Sequence, residues 1–333
     1  MKSDQSQLIS IVVPVFNEET VLPEFHQEMT EVISAQPFEF EIVYVNDGSL
    51  DNTLRRINEL RQSDKSITLI DLSRNFGKEI ALTAGLHKAV GDAVVVIDAD
   101  LQDPPELIPE LICEWQNGYD VVYAQRTHRK GESFLKKTAA HFFYRIIKRV
   151  NKIDIPEDTG DFRILSRRAV NALNSFGEQH RLMKGLFAWI GYRQKAVQYQ
   201  RDSRHAGQTK WNFLKLWNLA LDGITSFTIA PLKISTYLGL LTAAGAFAYG
   251  IYMIIDTLFH GNPVPGYPSL IVIILMLGGV QLVAIGILGE YLGRIFNETK
   301  RRPLYFVNEY APSDQASSRL TAGKRVAEPQ IYP

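Results

Sequence analysis

Over its first two thirds the chain alternates short apolar blocks with mixed ones. Leu8 to Phe16 (LISIVVPVF) is almost unbroken apolar and largely β-branched, the pattern of a strand covered on both faces. Asn17–Glu18–Glu19 then open an amphipathic helix that runs to about Ala35. Further strands are predicted at Phe40–Asn46, Ile67–Leu72, Ala93–Asp98 and Asp120–Arg126, with helices over Lys78–Ala89 and Pro105–Asn117. Strands separated by helical segments at this spacing predict an α/β domain with a mainly parallel sheet. No internal repeat or low-complexity tract interrupts it.

The pattern changes after about Ile224. Ile234 to Phe259 and Leu270 to Tyr291 are nearly free of charge, and each is long enough to cross a hydrocarbon core of roughly 30 Å as a helix. A pair of buried core helices is the competing reading. The segment between them, His260 to Pro268, carries Pro and Gly but no Lys or Arg. Lys233 precedes the first span, and Arg294, Lys300, Arg301 and Arg302 follow the second, so both flanks are expected to be cytoplasmic and the short loop external. Gly239, Ala243, Gly278, Gly279, Gly286 and Gly289 offer small faces for helix packing, including packing between protomers of a homo-oligomer. The expected layout is a cytoplasmic domain over 1–210 and amphipathic interface helices over 211–231, where Leu214, Trp217 and Leu221 share a face. Two transmembrane helices follow over 232–293 with loop 260–268, then a cytoplasmic tail over 294–333. The tail is rich in Ser, Pro, Ala and Gln from Ala311 onward and is expected to be disordered.

Composition narrows the picture. The 333 residues suffice for about two domains. With 36 basic and 36 acidic residues, no bulk positive field points to nucleic acid. The single cysteine, Cys113, rules out an intrachain disulfide and fits a reducing compartment. The polar start MKSDQSQ, followed by a short β-branched run, does not read as a signal peptide.

None of the strands is followed by Gly-x-Gly-x-x-Gly or a Gly-Lys-Ser/Thr loop, which counts against dinucleotide cofactors and P-loop chemistry. Acids stand there instead: Glu18 after the first strand, Asp47 after the second, Asp98 and Asp100 after the fourth. On neighbouring strands these would converge on one edge of the sheet, where open α/β folds bind ligands. The stretch Val94 to Pro105 (VVVIDADLQDPP) has two readings. Its carboxylates form a divalent-metal site, or they start the helix whose first turn holds Pro104 and Pro105. Asp47–Gly48–Ser49 alone would be an ordinary turn. Arg74 and Lys78 either begin a helix or reach phosphate. Arg126, Arg129, Lys130, Lys136 and Lys137 precede the segment Thr138–Val150, whose Phe142, Phe143, Ile146 and Ile147 make an apolar face. Such a helix lies on a membrane surface and draws in an anionic headgroup, or packs on the sheet with its charges in water.

Three motifs add up to more than a pattern. Val13–Pro14–Val15–Phe16–Asn17–Glu18, Asn46–Asp47–Gly48–Ser49–x–Asp51–x–Thr53 and Asp98–Ala99–Asp100–Leu101–Gln102–Asp103–Pro104 closely resemble the family 2 glycosyltransferases of the Rossmann-like GT-A fold. More narrowly, the chain looks like the polyprenyl-phosphate sugar transferases, among them dolichol-phosphate mannose synthases and bactoprenol glucosyltransferases. The resemblance runs from about Leu8 to Val307 and includes Leu288–Gly289–Glu290–Tyr291–Leu292–Gly293–Arg294.

The resemblance implies a nucleotide-sugar donor. Pro14, Glu18 and Asp47 match positions that hold base and ribose, and Asp98, Asp100 and Gln102 match those around Mg²⁺ or Mn²⁺ and the diphosphate. Thr159–Gly160–Asp161–Phe162–Arg163 resembles the segment that brings an acid beside the sugar. A phosphate acceptor is largely ionised, its second pKa being about 6, so Asp161 is expected to orient more than to remove a proton. Arg163 offers a planar fork for phosphate. Arg204–His205–Ala206–Gly207–Gln208–Thr209–Lys210–Trp211 is similar to a loop that closes over the diphosphate, implying roles for Arg204, Thr209 and Lys210. Thr209 stands where many relatives have Ser.

Met183–Trp189, with the Gly–Asp–Phe–Arg segment, looks most like the bactoprenol glucosyltransferases. The function so implied is inverting transfer of glucose from UDP-glucose to undecaprenyl phosphate at the bacterial inner membrane. The product would serve cell-envelope glycans such as O-antigen, with a flippase and a periplasmic glycosyltransferase downstream. The same reaction with GlcNAc, mannose or an aminoarabinose-type sugar is an alternative, as is a non-catalytic nucleotide-binding membrane protein. A processive polysaccharide synthase is disfavoured, since Gln-x-x-Arg-Trp is absent and two spans are few for a polymer channel.

Overall fold

The computed structural model describes residues 7–127, 156, 159–179, 181–199, 230–260 and 266–321. They fall into two compact units. The first is built on one eight-stranded sheet whose strands are β1 (Leu8–Val15), β2 (Glu39–Asn46), β3 (Ile67–Leu72), β4 (Ala93–Val96), β5 (Val121–Arg126), β6 (Thr159–Ser166), β7 (Gln194–Tyr199) and β8 (Val307–Ala311). Their spatial order is β7-β5-β6-β4-β1-β2-β3-β8. β1 pairs in parallel with β2 and β4, β2 with β3, and β5 with β7. Only β6, between β4 and β5, and β8, on β3, run antiparallel. The sheet is therefore mainly parallel, and the three acid-tipped strands β4, β1 and β2 are neighbours. Successive strands are added on one side from β1 to β3 and on the other side from β4, so the C-terminal ends of the parallel neighbours β1 and β4 form the crevice where this class of sheet takes ligands.

Continuous Val and Ile runs suit these strands because both faces are covered. Ile9, Ile11, Val13 and Val15 of β1 pack against Leu22, Phe25 and Met29 of α1 (Leu22–Ser34), Ile57 of α2 (Thr53–Ser63) and Ile108, Leu111 and Ile112 of the fourth helix. The opposite face of β1 and β2 carries α3 (Lys78–Lys88). Its approach depends on Gly85, where a Cβ would lie 2.2 Å from a Val12 methyl carbon and 3.1 Å from one of Val45. A short 3₁₀ turn, Pro105–Leu107, leads into that fourth helix, α4 (Ile108–Gln116), and α5 (Arg167–Asn174) and α6 (Met183–Trp189) follow β6.

Two expectations are corrected here. The first helix begins at Leu22, not at Asn17. Asn17 is left-handed, at φ 57°, and the backbone N–H groups of Asn17, Glu18 and Glu19 go to Ser49 Oγ, Thr53 Oγ1 and Asp51 Oδ2 rather than into a helix. The expected disorder from Ala311 does not hold for Ala311–Thr321; residues 322–333 lie outside the described residues. β8 covers the otherwise open edge of β3, a row of unpaired backbone groups that needs a partner. Beyond it, Ser313 N–H donates to Thr68 Oγ1 at 2.9 Å, and Arg319 reaches Asp92 at 2.9 Å. The polar residues that made the tail look solvated are the ones that anchor it.

The second unit contains the last long helices, α7 (Ala230–His260) and α8 (Tyr267–Lys300), which pack on each other. Leu232–His260 and Val272–Lys300 are each long and apolar enough to span a membrane. Large apolar side chains stand open along both, Phe247 at 73% and Leu282 at 71% exposure among them, so the reading as buried core helices fails. α8 continues past Gly293, with Glu290 and Arg294 paired across one turn at 3.2 Å, and it stops at Arg301, left-handed at φ 46°, before Pro303. The predicted interface helices over 211–231 lie outside the described residues up to 229, as do the helix Thr138–Val150 and loop residues 261–265.

Candidate active site

Two loops at the ends of β1 and β2 are joined by side-chain-to-backbone bonds. Besides the three bonds that hold Asn17 to Glu19, Leu50 N–H donates to Asn17 Oδ1 at 2.8 Å and Asn52 N–H to Glu19 Oε2 at 2.9 Å. Pro14, half-buried in β1 opposite Val45, and Glu18 stand on this rim. Asp47 is buried, and its two oxygens accept from Phe76 N–H at 2.7 Å and Gly77 N–H at 2.9 Å. Burial raises its pKa, against the pull of those bonds and of Arg74. Gly48 (φ 65°) lies against the same loop, for a Cβ there would sit 2.4 Å from the Arg74 carbonyl carbon. Asp47 and Gly48 thus shape the segment 74–77, on which the Arg74 guanidinium rests 4.0 Å above the Phe76 ring.

That segment launches α3 and puts Lys78 at the centre of the site. The Lys78 ammonium lies 2.6 Å from Asp98 Oδ2, just beyond β4, and 2.5 Å from Asp161 Oδ2 on β6. Asp161 is 7% exposed, and its Oδ1 is buried with no hydrogen-bond partner. Burial alone would raise the Asp161 pKa, but the ammonium groups of Lys78 and Lys184 outweigh it and hold the carboxyl below its ordinary value. Burial lifts Asp98, Lys78 pulls it down, and Asp161 and Asp100 add repulsion, for a net rise. Glu79 accepts from Met183 N–H at 3.1 Å, and burial with repulsion from Asp161 pushes it up to about 7.

Asp100 is exposed, at the mouth of this crevice, and Glu18 is raised by burial and by the charges of Asp100, Asp51 and Asp98. Leu101 is left-handed (φ 54°), and Gln102 reaches Asp100 through its backbone N–H, at 3.1 Å, rather than through its side chain. Among the described residues no three acidic, His or Cys groups are placed to hold an ion by themselves. Asp98 and Asp100 fit a hard divalent cation nonetheless. Mg²⁺ binds through one or two carboxylates plus substrate phosphates and water. The surplus of repelling carboxylates and the orphaned Asp161 oxygen are the observations that favour added positive charge.

Other predicted site residues are placed differently. Asp103 does not cap the helix; the turn at Pro104 has no side-chain cap. Its buried carboxylate accepts instead from Tyr199 Oη and, at 3.4 Å, from Arg126, whose Nε donates to the same Tyr199 oxygen at 3.0 Å. Arg126 is thus half-buried in a network that ties β5 and β7 to the acidic loop. Arg163 is corrected as a phosphate fork. It is 4% exposed, donates to the carbonyls of Asp161 and Gly160 at 3.1 and 2.8 Å, and stacks 3.8 Å from the Phe187 ring. Its burial lowers its pKa to about 10. Arg129, Arg204, Thr209 and Lys210 lie outside the described residues.

Sequence reasoning missed the carboxylate bridge made by Lys78 and the Asp103–Tyr199–Arg126 network. A lysine in the first turn of a helix, where the backbone dipole disfavours a cation, was the available signal for the first.

Residues 10–173 match Glycosyl transferase family 2, and residues 230–295 match the GtrB C-terminal hairpin. The chain is 51% identical over 312 residues to an uncharacterized glycosyltransferase of Synechocystis sp., covering 92% of this chain and 98% of that protein. It is 51% identical over 299 residues to the bactoprenol glucosyl transferase of Shigella phage SfV, covering 90% and 97%. It is 50% identical over 299 residues to the prophage bactoprenol glucosyl transferase homolog of Escherichia coli (strain K12), covering 90% and 98%.

Proposed function

Since the chain belongs to the family 2 glycosyltransferases, we propose that it transfers glucose from a nucleoside-diphosphate sugar to a polyprenyl phosphate, with inversion at the anomeric carbon. The observation that carries this reading is the Asp98–Lys78–Asp161 cluster at the C-terminal edge of the parallel strands, in a chain that also bears two helices long and apolar enough to cross a membrane. Relatives at about half identity named bactoprenol glucosyl transferase support the choice of sugar and lipid.

In this mechanism a phosphate oxygen of the lipid forms the new bond to the anomeric carbon while the bond to the donor diphosphate breaks. The nucleophile is already ionised, so no base is required. Asp161, held by Lys78, positions the sugar or the incoming phosphate. Pro14 and Glu18 border the base and ribose, and Asp47 acts by fixing the 74–77 loop beside them. Asp98 and Asp100 would hold Mg²⁺ or Mn²⁺, which when bound neutralises charge on the departing diphosphate. Arg129, Arg204, Thr209 and Lys210 are assigned to the lipid and donor phosphates, and Arg126 to holding the acidic loop through Asp103 and Tyr199. The sheet domain and both helix flanks are assigned to the cytoplasmic side.

Purified full-length protein incubated with radiolabelled UDP-glucose, Mg²⁺ and undecaprenyl phosphate tests the reading. A labelled lipid monophosphate sugar is expected, and preference for UDP-glucose over UDP-GlcNAc in competition identifies the sugar. A polymer, or no labelled product with any donor, overturns it.

A further inference from the structure

Lys78 is in an unusual electrostatic position. It occupies the first turn of α3, where unpaired backbone N–H groups make a cation unfavourable. It stays there because two carboxylates from different strands converge on it, at 2.6 and 2.5 Å. One belongs to the pair that fits a divalent ion, and the other keeps a buried oxygen without a partner. The lysine side chain is 46% exposed against 9% for that of Asp161, so Lys78 borders solvent, where an incoming ligand can meet it, while Asp161 is enclosed.

We propose that Lys78 is a stand-in cation: it occupies the Asp98 carboxylate until a divalent ion arrives with the donor, and it then turns from Asp98 to the donor or acceptor phosphate while remaining beside Asp161. This deepens the glycosyltransferase reading and rests on it for the identity of the ion's ligand. Two consequences follow from charge alone. Without donor, an ion must displace Lys78 from Asp98, which weakens ion binding. With donor, the displaced ammonium gains a phosphate partner, so ion and donor bind together and each strengthens the other.

The test measures Mn²⁺ binding to the detergent-purified full chain by the EPR signal of free Mn²⁺, with and without UDP. Without UDP, K78M is expected to bind Mn²⁺ more tightly than wild type by roughly tenfold, the scale for removing one partly exposed neighbouring charge. K78R, which keeps the charge, is expected to match wild type. UDP is expected to tighten Mn²⁺ binding in wild type and to do so less in K78M. Circular dichroism and thermal melting check that K78M is folded, and K78Q carries the same expectation should K78M not be. Mn²⁺ affinity in the neutral variants equal to or weaker than wild type overturns the proposal. Glucose transfer by wild type is assayed separately, so absence of transfer counts against the parent reading and an unchanged ion affinity against the role of Lys78.

Discussion

At the scale of single residues, the site is a balance of carboxylates against few cations, and that balance makes definite demands. Asp100 is exposed and spends no oxygen on a buried partner, only on the nearby Gln102 N–H, so its removal should cost function rather than fold. Asp100→Ala is expected to lower kcat for glucose transfer by on the order of 10³, with an unchanged melting temperature. Near-normal turnover in that variant would remove Asp100 from the ion site. Glu79 makes a second demand, through pH. Its folded pKa of about 7 lies above the ordinary carboxylate value of 4.5, so between these pH values the folded chain holds a proton that the unfolded chain has lost. Stability from this group is complete below about pH 4.5 and is lost as pH rises through 7. Glu79→Gln is therefore expected to flatten the part of the melting-temperature profile that falls between pH 5 and 7, and an unchanged profile would show that Glu79 does not titrate there.

Acids at strand ends were legible at this scale because each sits in a short local motif. What occupies them was not. Asp103 looked like a helix cap beside two prolines, but its partner Tyr199 is 96 positions away, and no local pattern announces such a pair. Arg163 looked like a phosphate fork because its guanidinium is planar, whereas β6 turns it inward onto two carbonyls and the Phe187 ring.

At the scale of elements, β8 and α9 (Asp314–Thr321) deserve their place in the fold for energetic reasons. Asp71 is buried in β3 and accepts from Asn46 Nδ2 at 2.7 Å on one side and from Asn308 Nδ2 at 3.0 Å on the other. Arg319 shares Asp92 Oδ2 with the backbone N–H of Leu8, which fixes the start of β1. Ending the chain after Arg301 would strip β3 of its outer neighbour and take one donor from the buried Asp71 carboxylate, at about 1–3 kcal/mol for a buried group left unsatisfied. That truncation is expected to lower the melting temperature or to aggregate through the bare β3 edge, as size-exclusion chromatography would reveal. β1 to β5 were legible because their apolar, β-branched runs are local; β6, β7 and β8 were not read as strands, and the feature that orders β8 is an open edge formed by residues 67–72.

At the scale of the whole molecule, the chain joins a sheet domain to a pair of apolar helices, and the proposed reaction needs the donor side to face the cytoplasm. Cys113 is an exposed, single reporter in the sheet domain. A membrane-impermeant maleimide is expected to label it in inside-out membrane vesicles and to leave it unlabelled in intact cells. The reverse pattern would invert the assigned topology.

The sequence by itself determined the α/β class, the strands β1 to β5, the acids at their ends and the two long apolar helices, since each of these is written in residues close together along the chain. The tertiary structure alone decided that Lys78 bridges Asp98 and Asp161, that Asp103 is bound to Tyr199 and Arg126, and that the tail completes the sheet. The physical reason is common to all three. A charge or an unpaired backbone group in a folded chain is satisfied by whatever the topology brings near it, and strand order, not sequence spacing, sets that neighbour.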